Sequence, residues 1–347
     1  MLRLSYQGKT RLKKLTLVLG ILALVAVLVW FCWVIWLQRY IVFSRDGVRF
    51  DFDRSTLALE NKTPNDDAQR QDIPLDIYVY DGENATLPMD EEAMRMISGV
   101  YVDTRMLLDG IDQVEEDLAA LEPDTAILLD VKSIYGNYYY STSIYEAQQS
   151  TSIDQNEMDA LIAALSQKGH YLIARLPAFR DTAFALDNQR CGLPLSSGVL
   201  WTDDDHCYWL NPTNETVLNN LAEICKELQS KGFNEVVFYD FYFPESGKIV
   251  YQSDIPKDEA IKLAAERLVS TCANEYFLVS FVGGADFPLP VGQTRLYIES
   301  ASPEGLENFI AQMPGEDTLL QTVFLAETRD TRFDGYCVLR ALQRTME

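Results

Sequence analysis

Histidine is scarce in this chain of 347 residues, which contains only His170 and His206. Two histidines exclude a histidine-rich zinc site, and the metalloprotease pattern H-E-x-x-H does not occur. A Gly-x-Ser-x-Gly nucleophile elbow is also missing, and Gly283-Gly284 does not resemble a phosphate-binding loop. Residues 203–205 are three aspartates that lack the spaced oxygen ligands of a calcium loop. The sequence therefore predicts no metal and no cofactor.

Cysteine and basic residues are also few. Six cysteines, of which Cys32 lies in an apolar segment, do not make a disulfide-built scaffold. Cys191 and Cys207 fall in one loop and could form a bridge in an oxidising compartment, whereas Cys225 lies on the apolar face of a predicted helix. Only 29 Lys and Arg stand against 52 Asp and Glu, which gives a net charge of −23. Nucleic acid is a poor partner for such a surface, because phosphate binding needs clustered cations.

Residues 15–37 form one run without a charged side chain, long enough at about 1.5 Å per residue to cross a hydrocarbon core of roughly 30 Å. Five basic residues and no acid precede the run, which predicts a cytoplasmic tail at residues 1–14. A cleaved signal peptide would need a shorter run and a cleavage site of small residues, and the bulky residues 31–36 offer neither. We therefore expect a single-pass protein of the cell membrane whose remaining residues are extracytoplasmic.

Two regions follow the anchor. In residues 38–95, the alternating runs 40–43 and 48–52 flank Asp46-Gly47, a hairpin signal, and 77–80 is another candidate strand. We expect this region to be a stalk with a β-rich cap.

Residues 96–347 alternate apolar strands with helices, which is typical of a (β/α)8 TIM barrel. Continuous apolar runs suit parallel strands that are covered on both faces. The predicted strands are 99–102, 126–131, 171–175, 236–239, 276–281, 295–299, 320–325 and 333–339. Helices are predicted at 107–121, 158–168, 217–228, 260–272 and 303–312. Only one clear helix lies beyond residue 275, so we expect the C-terminal half of the barrel to be trimmed or irregular.

Several of these strands run into a carboxylate. The sharpest case is Asp240, which follows Val236–Tyr239 and precedes Pro244 by four residues. Asp130 ends a second strand, Glu299 a third, and Glu327 follows a fourth. Active sites of such barrels lie at the carboxyl ends of the strands, so these acids are candidates for proton chemistry.

Three segments in order resemble a glycoside-hydrolase-like domain family of exported bacterial proteins. Residues 129–137 (LDVKSIYGN) resemble its block IDVKDxYGN, residues 173–181 (IARLPAFRD) resemble IARIVxFKD, and residues 239–244 (YDFYFP) resemble FDYVRFP. Residues 209–212 (WLNP) lie where the family tends to show WVDP. The last block is one residue short and lacks the family's arginine, with Tyr242 and Phe243 in that region. The resemblance implies a barrel related to glycoside hydrolases.

Glycoside hydrolysis uses one carboxyl group as proton donor and a second as nucleophile or base. Asp240 is the first candidate, and the alternative is a structural aspartate that caps the next turn or pairs with Arg175 or Lys132. Asp130 is the second, with Lys132 as a charge partner, and Glu299 or Glu327 would complete the set. Residues expected to contact substrate are Lys132, Arg175, Tyr135, Tyr138, Trp201, Trp209 and Tyr242.

The sequence thus predicts a membrane-anchored, extracytoplasmic protein that acts on or binds a polysaccharide or oligosaccharide of the cell envelope or the environment. The alternative from another class is a non-catalytic glycan-binding or scaffold protein that retains the barrel. A structural membrane protein without a ligand is a third interpretation, but it leaves the acid-tipped strands unexplained.

Overall fold

The computed structural model of the protein describes residues 41–44, 47–50, 95–145, 147–313 and 315–343. The chain divides into two compact units, Met1–Val79 and Tyr80–Glu347. The first contains an antiparallel hairpin of β1 (Ile41–Ser44) and β2 (Gly47–Phe50), which confirms the predicted hairpin. The predicted anchor at 15–37 and the candidate strand at 77–80 lie outside the described residues. None of the helices in the described part of the chain is long and apolar enough to span a bilayer.

The second unit is built on a closed barrel of eight parallel strands, which confirms the predicted architecture. Its strands are β3 (Ser98–Val102), β4 (Ala126–Asp130), β7 (Tyr171–Pro177), β8 (Glu235–Tyr239), β9 (Leu278–Val282), β10 (Leu296–Ile298), β11 (Thr322–Ala326) and β12 (Cys337–Ala341). A separate parallel pair, β5 (Asn137–Tyr138) and β6 (Gln148–Gln149), lies in the connection after β4. Neighbours in the barrel follow chain order, and β12 closes it against β3.

The helices of this unit are Thr104–Asp109, Ile111–Ala119, Gln155–Gln167, Thr182–Asp187, Glu215–Ser230, Lys257–Cys272, Leu306–Gln312 and Glu316–Leu320. The single helix predicted at 107–121 is wrong, because the chain breaks at Gly110, whose φ of 151° only glycine adopts readily. Two connections in the C-terminal half, 283–295 and 327–336, contain no α-helix.

Burial on both faces of the strands explains their continuous apolar runs. All five residues of β4 are buried, and four of the five in β8 and in β9. Helices Glu215–Ser230 and Lys257–Cys272 pack on the outside with apolar faces that include Cys225 and Cys272. All five cysteines of the second unit are free thiols, including Cys191 and Cys207.

A buried ionic cluster lies at the amino-terminal end of β8. Glu235 and Arg295 are fully enclosed, with Nη1 of the arginine 2.6 Å from Oε2 of the glutamate. The glutamate also accepts hydrogen bonds from the hydroxyls of Tyr171, Ser280 and Tyr297, at 3.0, 2.6 and 2.9 Å. A charge buried with this many donors is compensated, so the cluster ties four strands together at the closed end of the barrel.

Candidate active site

A cleft of about 340 Å³ opens at the carboxyl ends of the barrel strands. Its lining residues lie in or directly after β3, β7, β8, β10 and β11; they are Tyr101, Asp103, Arg175, Tyr239, Glu299, Ser300, Leu325 and Glu327. The parallel register of the barrel is what brings these distant segments together, because each strand ends at the same rim. Glu299 and Glu327, both predicted from strand ends, therefore share one opening with Arg175.

Arg175 joins two of the predicted acids. Its Nε is 2.6 Å from Oδ1 of Asp130 and its Nη2 is 3.1 Å from Oδ2, while its Nη1 is 2.7 Å from Oε1 of Glu299. Such a two-pronged contact fixes the guanidinium plane as well as its position. The guanidinium therefore fixes Glu299 relative to the floor of the cleft.

Asp130 has no free face for substrate. It is 3% exposed, and Oδ2 also accepts hydrogen bonds from the backbone N–H of Thr104 at 2.7 Å and from its hydroxyl at 2.8 Å. A buried carboxylate with four donors acts by holding those donors in place. The geometry favours a positioning role for Asp130 through Arg175. Glu299, by contrast, keeps 40% of its side chain exposed in the cleft.

Asp240 lies directly past the end of β8, with its backbone in the left-handed region at φ 50°. This conformation is uncommon for any residue other than glycine, and such outliers concentrate at functional sites. Oδ2 of Asp240 is buried and receives no hydrogen bond from any described residue. Burial raises the pKa of Asp240 to about 6; Arg180 opposes the rise, and the nearby carboxylates of Glu299, Asp203 and Asp205 add to it. Asp240 is thus a carboxyl group that keeps its proton up to about pH 6, whereas an ordinary aspartate loses it near pH 4.

Arg180 is the cation beside Asp240, with Nη1 3.9 Å from Oδ2. Its other nitrogens pair with Asp203 and Asp205, at 2.6 Å for the contact from Nε to Asp203. Trp209 supports this cluster, because its indole N–H donates to Asp203 at 2.8 Å and its ring lies 5.1 Å from that of Tyr242. The alternative pairing of Asp240 with Arg175 or Lys132 does not occur, because Arg175 binds Asp130 and Glu299 and Lys132 binds Asp181.

Lys132 and Tyr138 lie in the core and do not line the cleft. Lys132 is 1% exposed and pairs with Asp181, so the prediction that it is the charge partner of Asp130 is wrong. Asp181 also caps the next helix through the N–H of Phe184 at 2.9 Å. Tyr138 is buried, and the Lys132 ammonium lies 4.8 Å from its ring centre. Lys132, in the LDVKSIYGN segment, and Tyr138, directly after it, therefore support the fold and do not contact the cleft.

The remaining predicted aromatic residues are spread around the rim. Tyr135 is half exposed on a side pocket of about 400 Å³ that also contains Tyr139 and Tyr239. Trp201 is half buried against the enclosed Trp209, with ring centres 6.5 Å apart. Tyr242 is 51% exposed. Of the predicted aromatic contacts, Tyr135 and Tyr242 are the ones that present a ring surface to an opening.

Asp103 and Arg180 are charged residues of the site that were not among the predicted ones. Asp103 follows β3 as Asp240 follows β8, so the same strand-end signal was present; its Oδ1 caps the next helix through the N–H of Met106 at 2.9 Å. Arg180 lies in the segment IARLPAFRD that resembles a family block, but nothing in that segment indicates that its guanidinium approaches Asp240.

The family described as "Putative glycosyl hydrolase domain" matches residues 99–274, about half of the chain. No curated protein matches the sequence. Among solved structures, a hypothetical protein from Ruminiclostridium thermocellum is 19% identical with a TM-score of 0.45, and the match covers 52% of this chain and 96% of that one.

Two further matches are to larger proteins, and each match covers less than half of the larger protein. An α-galactosidase from Thermus thermophilus is 14% identical with a TM-score of 0.42, and the match covers 65% of this chain and 47% of that one. A cycloisomaltooligosaccharide glucanotransferase from Paenibacillus is 12% identical with a TM-score of 0.49, covering 69% and 39%. The chain thus spans half or less of these two proteins. With the family matched over strands β3 to β8 and the acid-tipped rim in place, this chain belongs to the putative glycosyl hydrolase domain family.

Proposed function

We propose that this protein hydrolyses glycosidic bonds in a polysaccharide or oligosaccharide, with Asp240 as the proton donor and Glu299 as the second carboxylate. The observation that carries the proposal is the contrast between the two acids. Asp240 has a raised pKa and a buried oxygen that accepts no hydrogen bond from a described residue, whereas Glu299 is 40% exposed in the cleft and held by Arg175. Glycoside hydrolysis requires one carboxyl group that donates a proton and a second that acts as nucleophile or base.

In the reaction, the bond between the anomeric carbon and the glycosidic oxygen breaks, and the oxygen takes the proton of Asp240. Glu299 either attacks the anomeric carbon or removes a proton from the attacking water, and water finally supplies the hydroxyl at that carbon. Arg175 and Asp130 hold Glu299 in place, and Glu327 contributes negative charge on the same cleft. The configuration of the first product, read by NMR, distinguishes attack by Glu299 from attack by water.

The direct test measures release of reducing ends from a panel of envelope and plant glycans. Release that Asp240→Asn abolishes would support the proposal and locate the proton donor. Release that persists undiminished in Asp240→Asn would contradict the role assigned to it.

A second candidate function is binding of a glycan without hydrolysis. It is favoured by the missing arginine in residues 239–244, where the matching block of the family has one. Measurable binding to a glycan that is never cleaved would establish this alternative.

We also propose that residues 15–37 anchor the protein in the cell membrane, with the barrel on the outer side. The support is the uncharged run of 23 residues and the basic residues that precede it. Digestion of intact cells with an added protease tests the orientation, since an extracytoplasmic barrel is cleaved and a cytoplasmic one survives.

A further inference from the structure

A groove of about 830 Å³ lies past the carboxyl ends of β8 and β9. Its walls come from residues 241–245, from the first turns of helix Lys257–Cys272, and from residues 282–288. Phe241, Phe243 and Phe287 give it an apolar floor, and Pro244 and Pro288 lie among its other lining residues. Binding sites for small molecules have this size and this mixture of aromatic floor and polar edge.

Asp240 lies in the chain between a residue that lines the cleft and two residues that line the groove. The residue before it, Tyr239, lines the cleft, and the two residues after it, Phe241 and Tyr242, line the groove. The left-handed turn at Asp240 is the point where the chain passes from one opening to the other. A proton donor at this boundary has the two halves of its substrate on opposite sides.

We infer that the groove binds the leaving-group portion of an uncharged oligosaccharide, while the cleft at Glu299 binds the sugar whose anomeric carbon reacts. The inference rests on the proposed function, because it takes Asp240 as the donor of the proton to the leaving oxygen. A donor of this kind contacts the oxygen that departs with the leaving sugar, so that sugar extends from Asp240 into the groove.

Tyr242 provides the platform for that sugar. Its ring is 51% exposed and is backed by Trp209, with ring centres 5.1 Å apart, so it is held in place with one side open. Aromatic rings combine a large apolar surface with few rotatable bonds, and little entropy is lost when a sugar packs on one.

The charges along the groove decide which class of sugar fits. Two lysines and four acidic residues line it, so an anionic chain is disfavoured by the net negative charge. The Lys257 ammonium lies 5.1 Å from the ring centre of Phe243, and the exposed Lys262 lies along the same edge. Alternating donors and acceptors of this kind suit the hydroxyl groups of a neutral sugar.

The test compares two substrates of the full-length protein that share the reacting sugar. One is a neutral oligosaccharide from the glycan panel, and the other is the corresponding glycosyl fluoride, whose leaving group is a single ion without a sugar for the groove. Tyr242→Ala is expected to lower kcat/KM on the oligosaccharide about tenfold more than on the fluoride. Lys262→Ala, at an exposed position, is expected to change the ratio in the same direction. The matched control is Tyr276→Ala, which removes a tyrosine that is 72% exposed before the amino-terminal end of β9.

An equal fall on both substrates, or no fall on either, would overturn the assignment of the groove while leaving the hydrolase proposal intact. If the wild-type protein cleaves neither substrate, the hydrolase proposal fails, and calorimetric binding of the same oligosaccharide decides the groove. If Tyr242→Ala weakens this binding and Tyr276→Ala does not, the groove remains assigned as a sugar-binding site. Absence of binding, or binding that Tyr242→Ala leaves unchanged, would overturn it.

Discussion

Glu235 and Asp240 lie at the two ends of the same barrel strand, β8, and their carboxyl groups have opposite environments. Glu235 is fully enclosed and accepts hydrogen bonds from Arg295, Tyr171, Ser280 and Tyr297. Asp240 has a buried oxygen to which no described residue donates, and its nearest cation is 3.9 Å away. A buried charge whose hydrogen bonds are satisfied is compensated, whereas a buried oxygen without a donor costs free energy, and such groups are common at functional sites.

Replacement of Asp240, the proposed proton donor, is therefore the most informative single change. Asp240→Asn keeps the shape of the side chain but cannot donate an acidic proton, so we expect glycan hydrolysis to fall between about 100-fold and 10,000-fold. The glycosyl fluoride, which needs no protonation to depart, should lose much less. Initial rates on both substrates provide the measurement, with the exposed Asp254→Asn as the control, and equal losses on the two would refute proton donation by Asp240.

The pKa of Asp240 predicts the alkaline limb of the pH profile. Because burial raises this pKa to about 6 and the proposed mechanism uses the protonated form, kcat/KM should decline above roughly pH 6, approaching tenfold per pH unit. The limb should be missing in Asp240→Asn. A profile for the wild-type protein that stays flat to pH 8 would argue against Asp240 as the acid.

The same group links pH to stability. The pKa of Asp240 is about 6 in the folded chain and about 3.9 for an unperturbed aspartate, so the folded state binds the proton more tightly. The stabilising contribution of that proton is present below pH 4 and is lost as the pH rises through 6. The wild type loses this contribution between pH 4 and pH 8, and Asp240→Asn has none to lose. The unfolding free energy of the variant minus that of the wild type should therefore rise by up to about 3 kcal/mol from pH 4 to pH 8. Urea unfolding of both proteins at the two pH values measures it, and a constant difference would contradict the assigned shift.

Replacement of Asp130 should mainly lower the stability of the fold, whereas replacement of Glu299 should mainly lower the rate of hydrolysis. Asp130→Asn leaves Arg175 without its buried partner, so we expect a loss of about 3–5 kcal/mol in the free energy of unfolding. Glu299→Gln removes a half-exposed contact of the same guanidinium and should cost at most about 1 kcal/mol, yet abolish hydrolysis. Thermal unfolding and rate measurements on the two variants test the contrast, and full activity of Glu299→Gln would reassign the second carboxylate, with Glu327→Gln as the next variant.

Lys132 is expected to act on the fold alone. Lys132→Met leaves Asp181 as an unpaired buried charge and should destabilise the protein by about 3–5 kcal/mol. Because Lys132 does not reach the cleft, KM of the folded fraction should stay unchanged. Denaturant unfolding measures the free energy of unfolding, and kinetics at low temperature measure KM. A raised KM would indicate that Lys132 contacts substrate after all.

The strands could be predicted from sequence because burial on both faces leaves a continuous apolar run, and all eight barrel strands were found within a few residues. The acids at strand ends could be predicted because a parallel barrel brings those ends together. The partners of those side chains could not be predicted, because a position on a strand does not reveal which residue distant in sequence lies opposite it. Arg175 lies opposite Asp130 only because β4 and β7 pair in that register. Lys132 turns away to Asp181 because it lies past the strand, where alternation no longer holds.

The helix break at Gly110 was missed because residues 107–121 keep helical spacing of their apolar positions on both sides of the glycine. Arg180 beside Asp240 was missed for a different reason. It comes from the connection after β7, and its approach depends on the loop that carries Asp203, Asp205 and Trp209.

The pairing of β12 with β3 has a consequence for synthesis of the protein. Val338 pairs with Ser98 and Ala341 with Tyr101, so the first barrel strand to leave the ribosome finds its second neighbour about 240 residues later. Until then β3 carries an open edge, which is a template for pairing with another chain. A chain interrupted before Cys337 should accumulate as aggregate, and delivery of the nascent barrel to a chaperone before completion should raise the yield.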